Sequence, residues 1–128
     1  MKNLNTNKNQ QWKRLFLERL LKFAVAIIKL ASKLPKTPAG FAIATQLIKA
    51  GTSIGANTEE AQDASSLKDF IQKLNIALRE AKETRYWLKV IEASGLLSSD
   101  EVGKEIAECG EIIAILTSSI KSSKRKLV

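Results

Sequence analysis

Histidine is absent from the 128 residues, cysteine occurs once, at Cys109, and proline twice, at Pro35 and Pro38. Without histidine the commonest general base near neutral pH is missing, and with it the Ser-His and Cys-His nucleophile pairs and imidazole metal sites. A lone cysteine closes no intramolecular disulfide and leaves a structural zinc site short of ligands. Carboxylate or lysine chemistry stays open in principle, but no nucleophile, base and orienter converge and no phosphate loop or paired metal ligands appear, so no catalytic residue, metal ligand or cofactor is expected. Long apolar runs are missing too. The longest, Phe23 to Ile28, lies between Lys22 and Lys29, far short of the roughly 20 residues that a membrane span needs. Met1 to Gln11 is polar, with no apolar core or small-residue cleavage site of a signal peptide. The expectation is a cytoplasmic protein with no membrane partner.

Acidic charge is scarce in the first fifty residues, where ten Lys or Arg stand against Glu18 alone. Residues 51–111 reverse the balance with seven bases and twelve acids, and four further bases follow from Lys121. The net charge of +8 is thus split along the chain, so one surface attracts polyanions and another attracts copies of the same chain.

What is present is helical periodicity. A chain of this length builds one core, and four periodic segments share it. Trp12, Phe16, Leu20, Phe23, Ile27, Ala31 and Leu34 step by three and four and stop at Pro35. Thr37-Pro38 reads as an N-cap and first helical residue. It opens a second stripe of Phe41, Ala44, Leu47, Gly51, Ile54, Thr58 and Ala61, whose small later members admit a close neighbour. Ser66 with Asp69 resembles a capping box and starts a third stripe that ends at Gly95 as a C-cap. Ser98 with Glu101 opens a fourth, in which Val102, Ile106, Cys109, Ile113, Leu116 and Ile120 form a two-per-heptad seam. Short loops predict an all-α, antiparallel up-down-up-down four-helix bundle. The boundaries are a disordered polar leader over 1–11, the bundle over 12–121 and a basic tail over 122–128.

Ser53, Asn57 and Glu60 fall at i, i+4 and i+7, one polar stripe beside the small residues of the second helix. Arg85 falls within the apolar stripe of the third, where an unpaired charge is costly. Pairing Glu60 with Arg85 fails on register, because a hairpin turning near Ala64 leaves Arg85 about 25 Å too far along. A turn near Leu97 brings Arg85 level with Cys109, beside Glu105 and Glu108, and leaves Glu60 near Lys68, Lys13 or Arg14. These four polar residues read as a structural motif that sets helix register. Cys109 reads as a small core residue. Tyr86 and Trp87 lie outside the inner stripe of the third helix and point to a subunit interface.

Two basic clusters remain. Lys13, Arg14, Arg19, Lys22, Lys29, Lys33 and Lys36 belong to the first helix and its exit, and Lys121, Lys124, Arg125 and Lys126 to the tail. Phosphate neutralisation with counterion release suits them, giving binding that is salt dependent and weakly selective for sequence. No recognition-helix, RNA-binding-sheet or zinc-finger pattern supports base reading. The first reading is a non-enzymatic oligomer that binds RNA or DNA nonspecifically. The alternative is a protein-protein assembly or adaptor module, suggested by Tyr86, Trp87 and the acidic later half.

Ser53-Ile54-Gly55-Ala56-Asn57-x-x-Glu60-Ala61, then Lys68-Asp69-Phe70, then Ile76-Ala77-Leu78-Arg79-Glu80-Ala81 and Glu83-Thr84-Arg85-Tyr86-Trp87-Leu88, closely resembles a small bacterial family. Its members are the four-helix-bundle proteins of intervening sequences in large-subunit ribosomal RNA genes. The likeness covers about Leu20 to Ile120. Thr58 departs from it, standing where the family more often has an aliphatic residue. The resemblance implies a ring-shaped homopentamer with a basic surface, and names no enzyme activity. The related accessory protein of diversity-generating retroelements implies nucleic acid and a reverse transcriptase as partners.

Overall fold

The computed structural model describes residues 4–127. Four helices fill it: α1 (Leu4–Ala31), α2 (Pro38–Gln62), α3 (Leu67–Ser94) and α4 (Ser99–Arg125). Among the described residues there is no strand, and no helix is long and apolar enough to cross a membrane.

Side-chain caps set the helix starts. Thr37 Oγ1 accepts from the Gly40 N–H at 3.1 Å with Pro38 in the first turn, satisfying a donor that the helix leaves free. Ser98 and Glu101 exchange both bonds of a capping box. Ser66 accepts from the Asp69 N–H at 3.1 Å, but the Asp69 carboxylate returns to the Ser65 N–H at 3.3 Å. Aspartate is one methylene shorter than the usual glutamate, and here its return bond lands one residue earlier. Gly95 ends α3 in the left-handed region, φ 75°, a conformation that costs glycine little.

Apolar burial ties the helices together. Leu20 and Ile27 of α1, Leu47 and Ile54 of α2, Leu88 and Ile91 of α3, and Ile112 and Leu116 of α4 are the largest fully buried apolar side chains, each contributing roughly 2 kcal/mol of apolar transfer free energy. Ile27 lies against Gly51, where an added Cβ would stand 2.8 Å from Ile27 Cγ2, and Leu20 lies against Gly55. Between α3 and α4, the Cys109 thiol donates to the Ala81 carbonyl at 3.1 Å.

Some expectations shift. α1 begins at Leu4, so residues 4–11 of the expected disordered leader are helical; Met1 to Asn3 lie outside the described residues. The tail is largely helix, since α4 runs to Arg125; Val128 also lies outside. Trp12 and Phe41 are exposed, not inward. Trp12 stacks on Phe16 at an open end of the fold, and Phe41 lines a small hollow beside Ala31 and Ile48. In α3 the inward place next to Ala81 is taken by Thr84, fully buried, its hydroxyl donating to the Glu80 carbonyl at 2.7 Å. Arg85, one residue on, is only half-buried.

Candidate nucleic-acid interface

α1 carries its lysines on the side away from the core because Phe16, Leu20, Phe23 and Ile27 occupy the inward stripe. Lys13, Arg14, Lys22, Lys29, Lys33 and Lys36 are all exposed, as are Lys121, Lys124, Arg125 and Lys126. Lys22 and Lys29, seven apart, share a face of α1, and Lys121, Lys124 and Arg125 share one of α4. Lys13 and Lys126 line one cleft, so the start of α1 and the basic tail meet at the same end. Lys29 stands about 24 Å further along the axis, and Lys33 and Lys36 lie beyond it.

Arg19 is the exception within this set. Its guanidinium forks onto Glu108, Nε to Oε2 at 2.7 Å and Nη2 to Oε1 at 2.6 Å, and also reaches Glu111. These hydrogen bonds raise the Arg19 pKa and hold the Glu108 carboxyl below the usual carboxylate range. A guanidinium shared by two carboxylates presents little free charge to a phosphate. Arg19 ties α1 to α4, and Glu108 is thereby taken from Arg85, the partner expected by register. The register itself agrees: the Arg85 charge acts on the Cys109 thiol, opposing the burial that pushes it up to about 11.

The Ser53, Asn57, Glu60 stripe does not converge on anything. Ser53 Oγ donates to the Lys49 carbonyl at 2.7 Å and Asn57 Nδ2 to the Ser53 carbonyl at 2.8 Å, so both polar groups are satisfied within α2. Glu60 is exposed and meets Lys73 of α3 at 3.9 Å, instead of Lys68, Lys13 or Arg14. Tyr86 is exposed and packs edge to face on Trp87, ring centroids 5.2 Å apart. Trp87, expected to point outward, is half-buried and packs against the core. Its indole Nε1 is buried with no hydrogen-bond partner among the described residues. Glu80 is half-buried, and desolvation with the neighbouring Glu83 raises its pKa while Lys49 counters.

Between α1 and α4 opens a cleft of about 740 Å³. Trp12 and Phe16 form one wall, Ser118, Ser119, Ser122 and Ser123 another, and Phe70 and Leu74 lie deeper. Periodicity alone missed it, because Trp12 fits the inward stripe as well as Phe16 does. The signal available was the pair of Ser-Ser steps four apart, a polar row beside the apolar seam of α4.

The profile of the family described as 23S rRNA-intervening sequence protein matches residues 13–118. The chain belongs to that family. The match takes in both the Ser53 to Ala61 motif and the Arg85 region, and α1 from Lys13 on. A solved structure from Bacteroides thetaiotaomicron, a protein of unknown function from the S23 ribosomal protein family, is 40% identical with a TM-score of 0.77, over 82% of this chain and 97% of that one. No curated protein matches the chain. Family membership brings the four-helix fold with it but assigns no reaction.

Proposed function

We propose that this member of the family is a non-enzymatic, cytoplasmic, antiparallel up-down-up-down bundle that self-associates and binds RNA or DNA nonspecifically through its basic surface. The observation that carries the reading is the meeting of Lys13 with Lys126 at one cleft, which no carboxylate lines among the described residues. Exposed Lys22 and Lys29 of α1, and Lys121, Lys124 and Arg125 of α4, add further basic patches on other faces of the two helices. Arg19 is left out of it by its bonds to Glu108 and Glu111. The Ile27–Gly51, Leu20–Gly55 and Ala81–Cys109 pairings support the antiparallel course. The internal bonds of Ser53 and Asn57 support a structural role for the motif.

Self-association has its own support. Leu21, Val25 and Ile28 step by four and three along an exposed face of α1, and α2 exposes Phe41 and Ile48. Contiguous exposed apolar side chains mark interaction surfaces. The basic first half can meet the acidic residues 51–111 of a second copy, a head-to-tail contact that closes into a ring when the rotation permits. A pentamer is the size the resemblance implies. The adaptor reading draws on exposed Tyr86 in the acidic half.

Filter binding of duplex and single-stranded oligonucleotides against salt tests the proposal. Affinity should fall steeply and linearly on a log-log plot, and Lys22→Ala or Lys124→Ala should each lower the slope by about one. Binding that is absent at low salt, or indifferent to salt, overturns it.

A further inference from the structure

We infer that the cleft between α1 and α4 receives an unstacked base of single-stranded nucleic acid, with a flanking phosphate held at the Lys13 and Lys126 rim. The inference rests on the nucleic-acid reading above and adds to it a site and a preference for single strands.

Three features converge there. Trp12 and Phe16 stack with ring centroids 5.7 Å apart and 22° between planes, and Trp12 is still 51% exposed. An exposed indole already in a stack offers its free face to a further flat ring, and every base has one. Serine hydroxyls of α4 line the opposite wall. A hydroxyl both donates and accepts, so it can meet the polar edge of any base. The third feature is charge: the lining holds two lysines and no carboxylate, which suits an anion tethered to an aromatic group.

Size and access agree. The cleft volume of about 740 Å³ lies within the span of about 300–1,000 Å³ typical of small-ligand sites. Bases in a duplex are stacked and paired, and reaching a wall pocket means extruding one at an energetic cost. Single strands offer bases without that cost. An amphipathic helix from a protein partner is a poorer fit, because the serine row would face its apolar side.

Trp87→Phe leaves Trp12 as the sole tryptophan, a reporter inside the cleft. Three probes are titrated: single-stranded oligouridine of about twelve nucleotides, its abasic analogue, and a duplex of equal length. Oligouridine should quench Trp12 to saturation while the other two do not. In the wild-type background, Trp12→Ala should weaken oligouridine about ten-fold and leave the abasic strand and duplex unchanged. Ser119→Phe fills the cleft from the far wall with Trp12 intact and should have the same effect; circular dichroism checks that both variants fold. Equal losses for all three probes, or no loss for any, overturn the cleft inference while the basic-surface reading stands. No binding of any probe at low salt overturns the basic-surface reading itself. Quenching by an amphipathic apolar peptide, with oligouridine silent, assigns the cleft to a protein helix and overturns the inference.

Discussion

Arg19 and Glu108, 89 residues apart, meet through two side-by-side hydrogen bonds of 2.7 and 2.6 Å. Glu111 joins the same guanidinium. Their side chains are 35% and 30% exposed, so solvent screens the pair and it is worth about 1 kcal/mol, not the 3–5 of a buried one. Its position gives it more consequence than its energy. It joins α1 to α4, helices 89 residues apart in sequence at this contact.

Arg19→Ala should therefore cost about 1 kcal/mol at neutral pH. The Glu108 pKa is lowered in the folded state, so its contribution is present above the unfolded value of about 4.3 and is lost as pH falls through the folded one. Arg19 stays charged throughout. Urea unfolding at pH 7 and below about pH 3 should show the wild-type advantage vanish in acid. An advantage that persists there would mean that Arg19 acts through packing. Binding assays should also separate it from the lysines: Arg19→Ala should leave the salt slope unchanged.

Gly51 and Gly103 make a paired test of helix approach. A methyl at Gly51 would sit 2.8, 3.1 and 3.2 Å from three atoms of Ile27, a β-branched, fully buried side chain whose rotation relieves one contact by worsening another. Gly51→Ala should cost about 1–3 kcal/mol. Nothing lies within 4 Å of a methyl at Gly103 or Gly110, both inside α4, so alanine there should add about 0.5–1 kcal/mol through helix propensity. Thermal midpoints decide it, and a Gly51→Ala midpoint at or above the wild type's refutes the close approach.

Cys109 is fully buried, donates to Ala81, and has its thiol pushed up to about 11 by burial. The unfolded thiol titrates near about 8.5. The folded state thus holds its proton more tightly, and the stability this brings is whole below that value and lost as pH rises toward 11. Between about pH 8 and about pH 10 the wild type should lose about 1–2 kcal/mol more than Cys109→Ala. Thiol reagents should modify the native protein only as fast as it unfolds. Rapid labelling without denaturant would contradict the burial.

Much of the fold was legible because local chemistry and global packing agree. Thr37-Pro38, Ser98 with Glu101, and Gly95 act within a turn, where the chain itself supplies both partners. The stripes from Phe16 to Leu34 and from Val102 to Ile120 hold because one face of each helix has a single destination. What escaped depends on which helix stands opposite. Glu108 sits four residues from Lys104 and level with Arg85, yet Arg19 of α1 claims it. Thr84 and Arg85 are neighbours, and a rotation of α3 by one residue decides which turns inward. Trp12 matches the inward stripe, but the α1–α4 gap leaves it at the lip of a cleft.

Self-association supplies the last prediction. Leu21, Val25 and Ile28 form an apolar strip flanked by Lys22 and Lys29 on α1. In water such a strip gains by meeting another apolar surface, which leaves the lysines at its edge free for a phosphate. Leu21→Glu with Val25→Glu places two carboxylates in the strip without touching the buried Leu20, Phe23 or Ile27. Each should cost about 2 kcal/mol at the interface, enough to dissociate the assembly at micromolar concentration while circular dichroism stays wild type. Light scattering reads the result. A wild-type mass of one chain rules out self-association, and a double variant that keeps the wild-type mass moves the interface to another face, with Tyr86→Ala as the next variant to measure.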